Sequence, residues 1–190
     1  MVLSKILFEA ARPHRLFALF SLALASGMRR GEILALRWSD FDFEKSTVAV
    51  SRPLAYVDGV FLVKEPKSKR SRRTITLPRF SMEGTKEHRQ AMLKDGNISA
   101  PVFCTRNGQY ILNTNLTRRD FRPLIRKTNE NLVSAARATG QEPELLPDVR
   151  FHDLRHTHAT SLLASGHSIK AVSQRLGHAD VKVALQSQTS

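Results

Sequence analysis

Three separated stretches of the sequence are rich in arginine, lysine and histidine. They cover residues 26–42, residues 66–75, and residues 151–160 together with 175–178. Arginine offers a permanently charged planar fork that binds a phosphate through two hydrogen bonds, and lysine and histidine add further donors. Such donors suit a site that stabilises the negative charge gathering on a phosphodiester under attack. These residue types therefore favour the binding of a phosphate group.

In order along the chain, the three stretches resemble the sequence boxes of the tyrosine recombinase or phage integrase family. Residues 26–32, Ser-Gly-Met-Arg-Arg-Gly-Glu, resemble the first box, and residues 66–69, Pro-Lys-Ser-Lys, resemble the β-hairpin that carries the family's lysine. Residues 151–156, Phe-His-Asp-Leu-Arg-His, resemble the His-x-x-Arg box, and Arg-Leu-Gly-His follows at 175–178. The resemblance implies these catalytic positions: Arg29, Lys67 (with Lys69 a close rival), His152, Arg155 and His178.

The resemblance also implies a role for each position. Arg29 and Arg155 would clamp the scissile phosphate, and His152 and His178 would add hydrogen bonds worth about 3 to 4 kcal/mol each in comparable sites. Lys67 would protonate the departing 5′ oxygen as general acid. This chemistry requires no metal or other cofactor, and none is expected.

Each box has a plainer interpretation when it is taken alone. A single arginine after a helix is usually a solvated cap, and a basic hairpin is usually a solvated turn. His152 and Arg155 are also ordinary i, i+3 helix neighbours, and His178 fits a polar helix end. Because all three boxes occur in the order found in the family, a chance match is improbable.

The tyrosine nucleophile of the family has no counterpart in this chain. The position that aligns with it, without a gap, is Gln188, and the tyrosines present are Tyr56 and Tyr110. An amide offers no ionisable oxygen and forms no stable phosphate ester. Cleavage through a 3′-phosphotyrosine is therefore not expected of this chain alone.

Residues 1–190 are interpreted as one integrase-type catalytic domain, truncated at its C-terminus and without the family's N-terminal core-binding domain. A truncated gene, a remnant, a deliberately shortened chain and a frame-disrupted end all remain open explanations. One domain agrees with the length of 190 residues and the hydrophobic share of 41%.

The composition predicts a polyanionic partner. Thirty lysines and arginines against seventeen aspartates and glutamates give a formal net charge of +13. Together with the resemblance, this predicts binding to double-stranded DNA, with a homo-oligomer on DNA left open. The residues predicted to contact the DNA backbone are Lys69, Arg70, Arg72 and Arg73 in the basic hairpin, and Arg118, Arg119, Arg122 and Arg126 in a basic helix.

Helices and short strands are predicted to position these side chains. Leu16–Ala25 indicates a buried core helix that begins after Pro13 and stops at Gly27, and a short helix follows over Gly31–Leu36. Three β-prone runs, residues 47–50, 60–63 and 74–77, predict one antiparallel sheet. Phe80–Asp95 is predicted as an irregular helix and Val102–Phe103 as a short strand.

Helices are predicted again in the second half. Asn113–Asn131 indicates a basic helix bent or split at Pro123, and Gly140–Asp148 a loop. A helix opens near Asp153 and runs to Gly166, the next is capped by Ser168 and closed by Gly177, and residues 181–186 begin a further one. The expected fold class is α+β and mainly α-helical, with a small three-stranded antiparallel sheet; by resemblance it is that of DNA breaking-rejoining enzymes.

Several other classes of protein are disfavoured by the sequence. The apolar stretch up to Ala25 is too short to span a bilayer, and the N-terminus carries no secretory signal. Cys104 has no partner cysteine for an internal disulfide, and no zinc-ligand set is present. A cytoplasmic setting without membrane contact is therefore expected.

Two alternative functions stay open. Residues 158–176 also fit a helix-turn-helix layout, which predicts a non-enzymatic DNA-binding regulator but leaves the Arg29 and Lys67 boxes unexplained. An RNA-binding domain ranks last, since the aromatic platform motif of common single-strand readers is missing.

Overall fold

The N-terminal part of the chain is built around a helix that is buried on nearly all sides. The structure, a computed structural model, describes residues 2–64, 72–97 and 101–177. Helix α1 spans Val2–Ala11, α2 spans Phe17–Ser26 and α3 spans Arg30–Leu34. Nearly every residue of α2 is buried, as its apolar composition predicts, and Gly27 ends it with a left-handed φ of 62°. The predicted core helix and its glycine cap are confirmed.

A three-stranded antiparallel sheet follows α3. Its strands lie in the order β1, β2, β5, where β1 is Phe41–Asp42, β2 is Thr47–Val50 and β5 is Arg73–Thr76. Val48 pairs with Ile75, and both side chains are buried, whereas the next pair, Ala49 and Thr74, is exposed. This alternation gives the sheet one face that packs into the helical core.

The prediction that residues 60–63 belong to this sheet is wrong. Strand β4, Val60–Val63, pairs with β3, Leu54–Val57, in a separate two-stranded hairpin, and β1 supplies the third strand of the main sheet. The reason is the dipeptide Asp58-Gly59, whose φ values of 49° and 82° form a two-residue turn. An Asp-Gly pair between β-prone runs is a strong hairpin signal that the strand prediction did not use.

The middle of the chain contains the predicted helix but not the predicted short strand. Helix α4, Arg79–Lys94, confirms the helix expected from Phe80 to Asp95. Val102 and Phe103 form no strand; they are fully buried, and the Val102 N–H donates to the carbonyl of Leu36. An isolated β-bridge joins Cys104 to Tyr110 instead.

The basic helix contains the predicted irregularity at Pro123. Helix α5, Asn113–Asn115, continues as a π-helical segment, Leu116–Phe121, and then as α6, Arg122–Thr139. A proline ring clashes with the carbonyl four residues earlier in a regular α-helix. The π turn lies directly before Pro123, where the Arg122 N–H bonds to Thr117 five residues back. The prediction of a bend or split is therefore met by a change of helical type.

The C-terminal helices agree with the sequence interpretation. A segment without helix or strand covers residues 141–150, as the predicted loop requires, and helix α7 spans Asp153–Ala164. Helix α8, Ile169–Leu176, begins where the Ser168 hydroxyl accepts a hydrogen bond from the Ala171 N–H, and Gly177 ends it with a φ of 69°. The helix predicted over 181–186 lies outside the described residues. No helix in the described ranges is long and apolar enough to cross a membrane.

Candidate functional site

Arg29 lies at the tight junction between α2 and α3. Gly27 turns the chain in a left-handed conformation, Met28 is buried, and the Arg29 backbone is extended. The Arg29 N–H donates to a carboxylate oxygen of Glu32 at 2.8 Å, which caps α3. The guanidinium also lies 3.2 Å from Glu32, yet 46% of the Arg29 side chain stays exposed. The junction therefore fixes the backbone of Arg29 and leaves its charged end accessible.

Arg155 ties together the ends of two helices from opposite ends of the chain. Its residue is 4% exposed, and its two terminal nitrogens donate to the carbonyls of Gly27 at 2.6 Å and Leu176 at 2.7 Å. Both carbonyls lie at helix ends, where intrahelical partners are missing. Arg155 satisfies them and draws α7 against the junction of α2 and α3.

The guanidinium groups of Arg29 and Arg155 converge. Arg29 donates to the carbonyl of Gly177 at 3.4 Å, and Arg155 donates to the carbonyl of Leu176, the preceding residue. Burial and the charge of Arg29 lower the pKa of Arg155 to about 10, so it remains charged at neutral pH. Residues from the two ends of the chain thus meet at one point, as the phosphate-site hypothesis requires.

A buried ion pair balances part of this positive charge. Both carboxylate oxygens of Glu32 accept hydrogen bonds from Arg73, at 2.8 and 3.1 Å, and each side chain is 8% exposed. Burial alone would raise the pKa of Glu32, but the hydrogen bonds and charge of Arg73 lower it overall, with help from Arg29. Arg73 also donates to the carbonyl of Arg175 at 2.7 Å. This burial argues against the predicted contact of Arg73 with DNA and gives it a structural role.

His152 lies beside the two converging arginines, directly before α7. Its ring packs edge-on against His156, with ring centres 4.9 Å apart. Partial burial, then the charges of His156, Arg155 and Arg29, lower the pKa of His152. A neutral His152 retains one N–H, which is the donor that its predicted role needs.

A second histidine, His158, holds the C-terminal helices to α2. Its Nδ1 lies 2.9 Å from the Leu24 carbonyl, which only accepts, so Nδ1 carries the proton. Its Nε2 therefore accepts the hydrogen bond from Arg175 Nε at 3.1 Å. Burial and the Arg175 charge lower the pKa of His158 to about 4, and the ring is neutral at physiological pH.

Arg175 completes this group of contacts. Its Nη2 donates to the carbonyls of Ala25 and Thr76, so one side chain joins α8 to α2 and to β5. We call Arg29, Glu32, Arg73, Arg155, His158 and Arg175 the junction cluster. Sequence reasoning assigned no role to Glu32, His158 or Arg175, although all three fall within the quoted stretches.

The arginines predicted to contact DNA from the basic helix are separate from this cluster. Arg118, Arg119, Arg122 and Arg126 are all exposed, and Arg126 forms a loose ion pair with Glu130 at 3.7 Å. Arg72 is exposed as well. The remaining predicted positions lie outside the described residues: Lys67, Lys69, Arg70, His178 and Gln188. Among the described residues, no group of three or more metal-ligating side chains is close enough to hold a metal ion.

The sequence matches the phage integrase family over residues 3–187, and the chain belongs to that family. A tyrosine recombinase XerC-like protein of Caldanaerobacter subterraneus subsp. tengcongensis is 34% identical over 194 residues, covering 92% of this chain and 45% of the relative. The ICEBs1 integrase of Bacillus subtilis is 28% identical, covering 87% and 42% respectively. The chain therefore spans less than half the length of these relatives.

Solved structures of recombinases share the fold. The Tn1549 transposon integrase in complex with transposon right end DNA aligns with a TM-score of 0.80 at 22% identity, covering 98% of this chain and 59% of that one. The XerA recombinase aligns with a TM-score of 0.75 at 23% identity, covering 100% and 59%. The expected α+β, mainly helical fold of a tyrosine recombinase catalytic domain is confirmed.

Proposed function

We propose that this chain acts as the DNA-binding catalytic domain of a site-specific tyrosine recombinase and holds one phosphate of duplex DNA at the junction cluster. The observation that carries the proposal is the convergence of Arg29 and Arg155, which reach the consecutive carbonyls of Gly177 and Leu176. In the sequence they are separated by more than half of the chain. A fold that brings two guanidinium groups together against their mutual repulsion is suited to an anionic ligand.

The contacts of the two arginines suit different tasks in binding that phosphate. Arg155 is locked by two short hydrogen bonds and provides a fixed charge, whereas Arg29 is nearly half exposed and can engage the ligand. A neutral His152 would donate a third hydrogen bond, and preorganised donors of this type favour the charge that develops during phosphoryl transfer. Lys67 as general acid and His178 as a further donor complete the proposal.

Related proteins support DNA as the ligand. The Tn1549 transposon integrase was solved with transposon right end DNA and with circular intermediate DNA, and XerH recombinase was solved bound to difH. We propose that the ancestral activity of this domain is DNA strand exchange during the integration of a mobile element. More than one copy of the protein would assemble on the DNA for that reaction. Action on cellular DNA would agree with the expected cytoplasmic setting.

Binding should be separable from cleavage in this chain. Gln188 occupies the position that aligns with the nucleophilic tyrosine, and an amide forms no covalent phosphate link. Incubation with a labelled pool of nicked random-sequence duplexes, followed by denaturing electrophoresis, is expected to leave no protein-bound label. A denaturation-resistant adduct formed by the native chain would overturn this part of the proposal.

The binding proposal is tested by fluorescence anisotropy on a random-sequence duplex over a range of salt concentrations. Affinity should fall steeply with salt, and Arg29→Ala should weaken binding by about 10- to 100-fold, since charge-assisted contacts contribute about 1.5 to 3 kcal/mol. Arg137→Ala, which removes an exposed charge from the last turn of α6, is the matched control. A flat salt response would refute phosphate binding, and an unaffected Arg29→Ala variant would favour the helix-turn-helix regulator.

A further inference from the structure

A polar cavity, lined in part by His152, lies next to the junction cluster. It has a volume of about 430 Å³ and opens between α3, the π-helical segment and the loop before α7. Its polar and charged lining residues are Arg30, Thr117, Arg122, Asp148, Arg150 and His152. Neither Arg29 nor Arg155 lines it, so the cavity is distinct from the site assigned to the scissile phosphate.

The charge of this cavity favours an anion. Three guanidinium groups face one carboxylate, that of Asp148, which leaves a net charge of 3 − 1 = +2 with His152 neutral. Burial lowers the pKa of Arg30, which means that the protein destabilises its charged form there. Within the described part of the chain, Arg30, Arg122 and Arg150 form no ion pair. An anionic ligand would supply the missing counter-charge.

Arg30 is held in place by a hydrogen bond to Thr117, whose own position is fixed by a second hydrogen bond. Its Nη1 donates to the Thr117 hydroxyl at 3.0 Å, and that hydroxyl donates its own hydrogen to the Asn113 carbonyl at 3.1 Å. A guanidinium has five N–H donors, and this contact uses one of them. The others remain available for a ligand, so Arg30 is both fixed and able to bind.

Arg29 and Arg30 are consecutive residues that serve different spaces. Arg29 belongs to the junction cluster, whereas Arg30 lines the cavity. His152 lies between the two, because it lines the cavity and the charge of Arg29 lowers its pKa. A DNA strand carries its anionic groups one after another, so two consecutive phosphates are suited to two neighbouring sites. Two phosphate sites at a fixed separation would set the register of the strand without reading its sequence.

We propose that the cavity lined by Arg30, Arg122 and Arg150 binds a second phosphate of the DNA strand, next to the phosphate held by Arg29 and Arg155. This inference rests on the proposed function, because it takes duplex DNA as the ligand. It adds a site that aligns the strand, assigns Arg30 and Arg150 to ligand binding, and places the predicted DNA contact of Arg122 in this cavity.

The test compares Arg30→Met and Arg122→Met with Arg137→Met on a random-sequence duplex, by anisotropy over a salt series. Each cavity variant should reduce the slope of log affinity against log salt by about 1 and weaken binding several-fold, whereas Arg137→Met should change neither. Arg30→Lys retains the charge and should restore the slope. Thermal unfolding of each variant identifies any that has simply lost its fold. Arg122→Met guards against that outcome, because this residue is exposed and its side chain has no hydrogen-bond or ion-pair partner among the described residues.

The outcomes separate this inference from the proposed function. Failure of the native chain to bind the duplex, or a flat salt response, would refute the proposed function itself. Normal binding by the native chain with unchanged slopes for both cavity variants would refute the second phosphate site alone. A change in sequence preference at constant slope would assign the cavity to base edges and also overturn the inference.

Discussion

Two groups of arginines in this chain use the same side chain in opposite ways. In the junction cluster, Arg73, Arg155 and Arg175 donate to carbonyls and carboxylates inside the protein. In the basic helix, Arg118, Arg119 and Arg122 are exposed and make no ion pair among the described residues. Internal donation fixes geometry, while exposed charge is left for a solvent-side partner. A count of basic residues therefore cannot distinguish arginines that hold the fold together from arginines that are free to contact a ligand.

The internal group is held against an electrostatic cost. Burial and neighbouring positive charge lower the pKa of Arg155 to about 10, and burial and Arg73 lower the pKa of Arg175. Charged groups with perturbed pKa values of this kind concentrate at functional sites, where the arrangement that suits a ligand also lowers the stability of the fold. The exposed arginines of the basic helix are in contact with water instead. The two groups should therefore respond differently to substitution.

Among the substitutions that test the difference between the two groups, Glu32→Gln should lower the free energy of unfolding most. It removes the carboxylate that accepts both hydrogen bonds from Arg73 and leaves a buried guanidinium without a counter-charge. Loss of one partner of a buried ion pair costs about 3 to 5 kcal/mol. Urea unfolding at neutral pH measures the change, and Glu83→Gln, which removes an exposed carboxylate paired with Arg79, is the control. A loss below about 1 kcal/mol would show that the cluster is not a structural unit.

The packing of the junction is tested by Gly27→Ala. Gly27 has a φ of 62°, and an added Cβ would lie 2.6 Å from Leu176 and 2.7 Å from His158. Left-handed strain and overpacking together should cost about 2 to 4 kcal/mol in the free energy of unfolding. Gly140→Ala matches the backbone conformation, with a φ of 68° and no described atom within 4 Å of the added Cβ, and should cost about 1 kcal/mol from left-handed strain alone. Equal losses would mean that the junction is loosely packed.

A pH dependence of stability should arise from His158. Its pKa falls from 6.5 to about 4 on folding, so between these values the unfolded chain binds a proton that the folded chain does not. The contribution of this residue to stability is therefore full above pH 6.5, falls by about 3 kcal/mol as the pH drops towards 4 and levels below that. His14, His88 and His152 have lowered pKa values too and act in the same direction.

His158→Asn isolates this contribution. The asparagine amide can still donate to the Leu24 carbonyl but does not titrate, so its curve of unfolding free energy against pH should be flatter between 6.5 and 4. Urea unfolding at several pH values gives both curves. Parallel curves for the native chain and the variant would contradict the buried, neutral state of His158.

The sequence predicted the fold and the convergence of Arg29 and Arg155, but not the hydrogen bonds that connect the residues around them. The glycine cap at Gly27 and the caps at Ser168 and Gly177 are local signals, which is why α2, which ends just before Arg29, and α8, which carries Arg175, were predicted. The membership of the sheet was missed because pairing depends on the turn at residues 58 and 59. The partner of Arg73 was missed because the contact joins a strand to a helix 41 residues away, and no local pattern encodes it.

The smallest effect on stability is expected from Arg118→Ala in the exposed group. The side chain is exposed on the π-helical segment and has no ion pair among the described residues, so the free energy of unfolding should change by less than about 0.5 kcal/mol. Its effect should appear only with DNA, as a salt slope lower by about 1 on a random-sequence duplex. Glu32→Gln, measured by the same unfolding and anisotropy experiments, should differ by losing much more stability, because it removes a buried contact of the fold. A large loss of stability with unchanged DNA binding would show that Arg118 supports the fold, and would contradict the proposed difference between the exposed and the internal arginines.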